Sequence, residues 1–150
     1  MHNNIQIKPV GYIKRISPNE DDKDRSLVSK IIINEELKKA LDGIENFSHI
    51  YVIFWMHQIK DTNYLHHPSK MHETEAIGVF ATRAPIHPNP IGLTLVELIK
   101  REGNILLVRG LDAFDDTPVL DIKPYPDWEH GNCIIVDEYR IPKWLKKKTY

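Results

Sequence analysis

Residues 91–110, IGLTLVELIKREGNILLVRG, predict two β-strands joined by a tight turn. The strands are expected over Ile91–Arg101 and Asn104–Gly110. Glu102 and Gly103 supply the turn between them, since glycine is favoured where a hairpin reverses direction. This hairpin indicates a fold built largely from β-strands.

Further short strands are predicted on both sides of the hairpin. β-Branched and aromatic residues recur in short runs separated by polar, turn-rich stretches. One short helix is expected over Glu35–Leu41, with Asn34 as its cap and Gly43 at its end. The further predicted strands are residues 5–16, Val28–Ile33, Phe47–Ile59, Ala76–Thr82, Val119–Ile122 and Ile134–Tyr139.

The order of these elements indicates the fold class. Many short strands and few helical periods favour a mainly β protein, either a barrel or a sandwich. The strand–helix alternation of a Rossmann sheet is missing, and so is the GxGxxG fingerprint of its nucleotide site. With 150 residues, the chain is expected to form a single domain, residues 1–150, around one core.

The composition is that of a soluble globular protein. Hydrophobic residues make up 41% and charged residues 27% of the chain, and no apolar run approaches the roughly 20 residues that span a bilayer. The first ten residues lack the layout of a secretory signal peptide. Cys133 is the single cysteine, so an internal disulfide is excluded. A cytoplasmic protein without membrane attachment is expected.

The net charge of −1 does not by itself indicate a nucleic-acid-binding protein. Any contact with RNA must therefore come from a local patch. The basic tail is one candidate, and a solvated terminus is the alternative interpretation. The tail contains Lys143, Trp144, Lys146, Lys147 and Lys148.

The most informative stretch is residues 78–98, GVFATRAPIHPNPIGLTLVEL. A strand is expected to end at Arg83, and three closely spaced prolines stiffen the loop that follows it. Gly92 then lets the chain enter the next strand. An arginine beside a rigid loop suits an anionic or nucleoside ligand, because loops often carry function. A rigid connection between strands is the structural alternative.

A second polar motif is residues 115–125, DDTPVLDIKPY. If it forms a strand, then Asp121, Lys123 and Tyr125 share one face because side chains alternate. A carboxylate, an ammonium and a phenol together suggest a polar site. The alternative is an exposed strand face with a salt bridge, typically worth about 1 kcal/mol or less.

Histidines occur at two further places of interest. His57 follows an apolar strand, where it could be a hydrogen-bonded core residue or could face a pocket. The loop over residues 60–74 contains His66, His67 and His72. Zinc sites need three or four ligands in fixed geometry, and adjacent His66 and His67 point to opposite sides of an extended chain. No metal site is therefore expected.

Several of these motifs resemble one known family. Residues 78–98 and TPVLDIKPY at 117–125 look like the two signature segments of the TrmO (YaeB, TsaA-like) family. MHQ at 56–58 matches the family's short motif, and ENFSHIYVIFW at 45–55 matches the strand that leads into it. The resemblance extends from about Val10 to Tyr125.

The resemblance implies a fold, a cofactor and a reaction. The family fold is a single-domain β-barrel-like fold that binds S-adenosylmethionine and forms homodimers with the ligand near the interface. The characterised reaction methylates N6 of threonylcarbamoyl-adenosine beside the tRNA anticodon, with no metal. By matching positions, the cofactor-binding residues are expected to be Arg25, His57, Gln58, Arg83, Leu93, Asp116, Thr117, Pro118 and Val119.

The sequence departs from the family pattern at two positions. Asp116 stands where members usually have glycine, so either the turn differs or the carboxylate makes a new contact. His87 stands where many members carry arginine, which removes a permanent charge. Some bacterial members also carry an additional C-terminal domain, which leaves the mode of tRNA docking open.

The chemistry of the implied reaction suggests roles for the polar residues. The acceptor nitrogen is part of a urea and is a poor nucleophile, so a base or hydrogen-bond acceptor near its N–H should assist transfer. Asp121, His57 and Tyr125 are candidates. Arg83 and Lys123 are candidate partners for the carboxylates of cofactor and substrate. The predicted catalytic residues are Asp121, Lys123 and Tyr125.

Three other functions are compatible with the sequence. One is a module that binds S-adenosylmethionine without catalysing transfer. Another is a methyltransferase of the same family acting on a different acceptor. The third is a metal-dependent hydrolase that uses the histidines of residues 60–74.

Overall fold

A barrel of six antiparallel strands dominates the computed structural model, which describes residues 5–16, 27–60, 64–66 and 76–125. The strands are β1 Gly11–Arg15, β2 Val28–Ile33, β3 His49–Trp55, β4 Leu65–His66, β5 Ile77–Gly78, β6 Ile91–Glu102, β7 Ile105–Arg109 and β8 Pro118–Tyr125. The closed barrel has the order β1-β2-β7-β6-β3-β8, and β4 pairs with β5 in a separate sheet. The predicted mainly β, barrel-like fold is confirmed.

Three short helices accompany the strands in the described part of the chain. All are 3-10 helices, over Glu35–Leu41, Ile44–Asn46 and Val79–Ala81. None of the described helices has the length and hydrophobicity needed to span a lipid bilayer. The predicted strand Ile134–Tyr139, the basic tail and Arg25 lie outside the described residues.

The β6–β7 hairpin forms as the sequence predicts. Strand β6 has 12 residues, and it pairs with β3 on one side and with β7 on the other. Gly103 adopts a φ of 65° in the turn, a conformation that glycine tolerates without steric cost. The register shifts between Leu98 and Lys100, and such a bulge bends a strand as barrel closure requires.

Alternating side chains from all six barrel strands fill the interior. On β3 and β6 the buried positions alternate with more exposed ones, as the two-residue period of a strand requires. The most deeply buried apolar side chains are Ile13, Ile31, Ile50, Val52, Val96, Leu106, Val108 and Val119. The predicted single core therefore lies inside the barrel.

The strand predicted over Ala76–Thr82 is wrong for most of its length. Only Ile77–Gly78 is extended, and residues 79–81 form a 3-10 helix. Thr82 caps the C-terminal end of this helix with two hydrogen bonds. Its N–H and its Oγ1 both donate to the Val79 carbonyl, at 2.9 and 2.8 Å. This local hydrogen bonding competes with strand pairing.

The predicted helix over Glu35–Leu41 exists, but as a 3-10 helix. Asn34 occupies the capping position without a side-chain cap hydrogen bond. Its Nδ2 donates instead to the Pro9 carbonyl at 3.1 Å. Gly43 follows the helix with a φ of 90°, so the predicted glycine end is confirmed.

Arg101 links the 3-10 helices Glu35–Leu41 and Ile44–Asn46 to the end of β6. Its guanidinium donates to the carbonyls of Leu41 and Lys38 at 2.9 and 3.2 Å. It also pairs with Asp42 at 2.9 Å and with Glu45 at 3.3 Å. Because the Arg101 side chain is only 15% exposed, this cluster is more than a screened surface pair.

The turn before β8 closes the barrel against β1. Asp116 donates its N–H to the Ile13 carbonyl at 2.9 Å, and Ile13 donates its N–H to the Thr117 carbonyl at 3.0 Å. Asp115 Oδ1 accepts from the Arg15 N–H at 2.8 Å. That hydrogen bond, followed by the nearby Lys14 ammonium, lowers the pKa of Asp115.

Asp116 keeps the backbone conformation that glycine would favour. Its φ is 59°, the one positive value among the described non-glycine residues. Its carboxylate contacts Lys14 Nζ at 2.6 Å, and this contact is the main cause of the raised pKa of Lys14. Asp116 thus adopts the left-handed backbone conformation, and its carboxylate forms an ion pair with Lys14 that glycine could not form.

Gly92 is required by packing rather than by its dihedral angles. A Cβ at this position would overlap the ring of Phe54, which lies opposite Gly92 across the β3–β6 ladder and is buried. We expect Gly92→Ala to lower the free energy of unfolding by about 1–3 kcal/mol, as overpacking does. Urea denaturation measures this change.

Gly78→Ala is the matched control for that substitution. A Cβ at Gly78 would meet no atom within 4 Å, and the φ of −63° there suits alanine. Equal stability of the two variants would contradict the packing role of Gly92.

The lowered pKa of Asp115 predicts a pH-dependent contribution to stability. A depressed folded-state pKa stabilises the fold above the ordinary value of 3.8, and this contribution disappears as the pH falls through the lowered value. Asp115→Asn should therefore reduce the melting temperature near neutral pH and change it progressively less on acidification. Thermal unfolding between pH 7 and pH 2 measures the difference, with Glu36→Gln as an exposed control. A pH-independent difference would contradict the prediction.

Candidate cofactor site at one end of the barrel

The end of β3 brings together segments that are distant in the sequence. Phe54, near the last residue of β3, pairs with Gly92 on one side and with Val119 on the other. The Met56 N–H then donates to the Pro90 carbonyl at 2.8 Å. The proline-rich loop, the start of β6 and the start of β8 therefore meet beside residues 56–58.

His57 and Gln58 lie in a compact turn directly after β3. The His57 N–H donates to the Trp55 carbonyl at 2.8 Å, and the Ile59 N–H donates to the Met56 carbonyl at 3.1 Å. Both His57 and Gln58 are exposed. His57 is thus available to a ligand and is not a buried core histidine.

The loop that contains Arg83 is held by local hydrogen bonds near both ends. The Ala84 N–H donates to Thr82 Oγ1 at 3.1 Å, and the Ile91 N–H donates to the Asn89 carbonyl at 2.7 Å. Arg83 is exposed between these two anchors. The loop contacts Met56 through Pro90, and an exposed cation on such a stiff loop suits an anionic ligand group.

His87 has a neighbour that the sequence did not reveal. Its ring lies edge-on to Phe80, with 5.7 Å between ring centroids and 68° between planes. His87, which stands where the family resemblance leads us to expect arginine, therefore makes an aromatic contact with Phe80.

The residues predicted in the turn before β8 differ in their accessibility. The side chains of Thr117 and Val119 are 2% and 0% exposed, and Val119 belongs to the hydrophobic core. The Asp116 side chain is exposed, and Pro118 is half-buried. A ligand at this turn would meet the outer side chains and the backbone, whereas Val119 supports the turn from inside.

Asp121, Lys123 and Tyr125 lie on the outer face of β8, which confirms the predicted alternation. Lys123 Nζ contacts Asp121 Oδ2 at 2.8 Å, and this contact raises the pKa of Lys123. The Tyr125 ring meets Tyr51 edge-on, with centroids 5.8 Å apart. The salt bridge that was the structural alternative for this motif is therefore present, on a partly exposed strand face.

These three residues extend away from the end of β3. Asp121 pairs with Ile53, whereas Tyr125 pairs with His49 at the start of β3. At about 3.3 Å per residue, Tyr125 lies roughly 20 Å along the sheet from the turn at His57. Asp121 is therefore closer along the sheet to the turn at His57 than Tyr125 is.

The outer face of β3 and β6 carries an apolar patch that sequence reasoning missed. It faces outward because the intervening residues Val52, Thr94 and Val96 point inward. Within β3, half-buried residues alternate with buried ones. We name this surface the β3–β6 patch, and its members are Tyr51, Ile53, Trp55, Ile91, Leu93 and Leu95.

A cavity of about 640 Å³ lies between the 3-10 helices of residues 35–46 and strand β8. Its described lining is mostly apolar, and the charged residues in it are the acids Asp42 and Asp121. Such a cavity offers no cation for a ligand carboxylate. The exposed cluster at the end of β3 fits the predicted cofactor better.

No group of three or more metal-binding side chains is found among the residues that the structure describes. His66 lies in β4, whereas His67 and His72 fall outside the described residues. The hydrolase interpretation therefore gains no support from the described part of the chain.

Comparison with known proteins identifies the family. A family model described as the tRNA-methyltransferase O N-terminal domain matches residues 13–128. A probable S-adenosyl-L-methionine-binding protein of Pyrococcus abyssi is 40% identical over 97% of this chain and 79% of its own length. A tRNA (adenine(37)-N6)-methyltransferase of Homo sapiens is 36% identical over 81% of this chain and 30% of its own length.

A solved structure shows the same fold. The crystal structure of TrmO from Pseudomonas aeruginosa matches with a TM-score of 0.71 and 28% identity. The match covers 96% of this chain, and this chain spans 63% of that TrmO chain. The chain belongs to the tRNA-methyltransferase O (TrmO) family of S-adenosylmethionine-dependent tRNA methyltransferases.

Proposed function

We propose that this protein transfers the methyl group of S-adenosylmethionine to N6 of threonylcarbamoyl-adenosine beside the tRNA anticodon. The observation that carries the proposal is the hydrogen bond from Met56, next to His57 and Gln58, to Pro90 at the end of the proline-rich loop that also contains Arg83. Family membership supports the reaction class, and relatives named tRNA (adenine(37)-N6)-methyltransferase support the position of the acceptor.

The side chains at this end of the barrel suit the proposed cofactor. S-adenosylmethionine supplies an electrophilic methyl group on a sulfonium when it is bound. Leu93 is 45% exposed and offers apolar surface to a nucleoside. His57 and Gln58 offer hydrogen-bonding groups, and Arg83 offers a cation for a carboxylate.

Positioning is the main contribution expected from the protein. Holding donor and acceptor in line can lower the barrier by about 7–11 kcal/mol. The prolines and the hydrogen bonds at Ala84 and Ile91 keep the Arg83 loop stiff. Such a loop loses little conformational entropy when the ligands bind.

Asp121 is the best placed of the predicted catalytic residues. Its Oδ1 accepts from the Ile122 N–H at 2.8 Å, and its Oδ2 pairs with Lys123. A carboxylate held in this way can accept a hydrogen bond from the acceptor N–H, and general-base assistance contributes roughly 10²–10⁴-fold. Lys123 then provides the positive charge that the threonyl carboxylate of the substrate requires.

A homodimer would complete this site. The β3–β6 patch is apolar, and its rim carries the Asp121–Lys123 pair and the Glu97–Arg109 pair, the latter at 2.6 Å. An apolar surface with a polar rim is typical of an interface. A two-fold axis that lies in the plane of the patch and perpendicular to β3 would run the two β3 strands in opposite directions. It would thereby bring Lys123 and Tyr125 towards the partner's cofactor residues.

Nucleoside analysis tests the proposed reaction directly. The protein is incubated with labelled S-adenosylmethionine and total tRNA, and the nucleosides are separated by mass spectrometry. A methylated threonylcarbamoyl-adenosine supports the proposal. Label in another nucleoside indicates a different acceptor, whereas cofactor binding without transfer indicates a binding module.

The two candidate cations generate a prediction about activity. Arg83→Ala and Lys123→Ala should each lower kcat/KM by about 10- to 100-fold, as expected when a hydrogen bond to a charged group is lost. One of the two variants should keep its affinity for S-adenosylhomocysteine, measured by calorimetry. Lys30→Ala removes an exposed lysine from β2 and is the matched control. Full turnover in both test variants would refute the assignment.

The proposed dimer generates a second prediction. Leu95→Glu places a charge in the β3–β6 patch and should convert the dimer to monomers in analytical ultracentrifugation, with loss of methyl transfer. Ile7→Glu adds the same charge at an exposed apolar residue outside the patch and should leave the dimer intact. A monomeric Leu95→Glu variant with full activity would contradict a shared site.

A further inference from the structure

Phe80 exposes more of its side chain than any other aromatic residue in the described part of the chain. It is 82% exposed, whereas the preceding Val79 is 2% exposed. The Val79 N–H donates to the Tyr64 carbonyl at 3.1 Å, and the Val79 carbonyl accepts two hydrogen bonds from Thr82. The turn is thus anchored from inside, and the Phe80 ring is held outward on a rigid backbone.

His87 gives the Phe80 ring a second support. Their edge-on contact, 5.7 Å between centroids and 68° between planes, is the preferred geometry of an aromatic pair. An edge-on neighbour leaves ring surface of Phe80 open, in agreement with its exposure. A flat, pre-positioned apolar surface is available for another ring.

The surroundings of Phe80 match those of a nucleobase platform. Tyr64, on the adjoining segment, is 47% exposed, and the exposed cation Arg83 follows on the same turn. Proteins bind unpaired nucleic acid by stacking bases on aromatic side chains beside basic groups. With a net charge of −1, this protein needs such local contacts to hold RNA.

We propose that Phe80, positioned by His87, stacks on an unpaired tRNA nucleobase next to the target adenosine. This inference rests on the proposed function, in which Arg83 marks the reacting end of the barrel. Phe80 follows β5, which pairs with β4 outside the barrel, whereas the cofactor residues gather at the ends of barrel strands. Since Phe80 precedes Arg83 by three residues, we expect the platform beside the site, where a neighbouring base of an open loop would pass.

RNA binding by Phe80 variants tests the platform. We expect Phe80→Ala to weaken the binding of an anticodon stem-loop RNA by about 5- to 100-fold, as the loss of one stacked base does. Phe80→Trp should retain affinity, because stacking tolerates a change of aromatic ring. Ile5→Ala removes a side chain of similar exposure, 86%, and should have no effect.

Two further measurements separate stacking from other roles. Binding of a fully duplex RNA should not change in Phe80→Ala, since its bases are already stacked. His87→Ala should give a smaller loss of stem-loop affinity, and His87→Phe should restore it, as expected for a positioning residue. Circular dichroism checks that each variant is folded.

The outcomes distinguish this inference from the proposed function. If the wild-type protein methylates tRNA and Phe80→Ala binds the stem-loop equally well, the platform is wrong and the proposed function stands. If Phe80→Ala instead loses affinity for S-adenosylhomocysteine alone, the ring serves the cofactor and the platform is likewise wrong. If the wild-type protein neither binds nor methylates tRNA, both proposals fail.

Discussion

Strand β3 is hydrogen-bonded on both sides, to β6 and to β8, and the candidate site depends on this pairing. Because Phe54 pairs with both Gly92 and Val119, the two signature segments of the family are fixed on either side of one strand. The exposed residues 57 and 58 follow directly from its end. The register of three strands brings these segments to one end of the barrel.

The two faces of β3 and β6 have different roles, since one face packs in the core and the other is exposed at the surface. Inward residues of β3 and β6 complete the core, whereas their outward residues form the β3–β6 patch. A buried glycine lets a phenylalanine ring lie against the ladder just where β6 begins. The candidate site thus adjoins a closely packed part of the barrel, where Phe54 lies against Gly92.

Charged residues act locally in this protein. Lys14 with Asp115 and Asp116 fixes the turn before β8, and Arg101 secures the 3-10 helices at the other end. Arg83 and the Asp121–Lys123 pair lie closer to the proposed reaction. Because the net charge is only −1, any binding of an anionic group depends on where individual cations are placed.

The sequence by itself determined the β-rich class, the β6–β7 hairpin, the strand over Val28–Ile33 and the family, because alternation, turn residues and long motifs are local properties of the chain. The strand pattern alone left a barrel and a sandwich open, and the sequence did not predict the 3-10 turn at residues 79–81 or the exposure of residues 57 and 58. Tertiary structure decided these features, together with the β3–β6 patch, the Phe80–His87 contact and the separation of Tyr125 from the cofactor residues. The physical reason is that strand register, and with it the face and neighbours of each side chain, is set by pairing between distant segments.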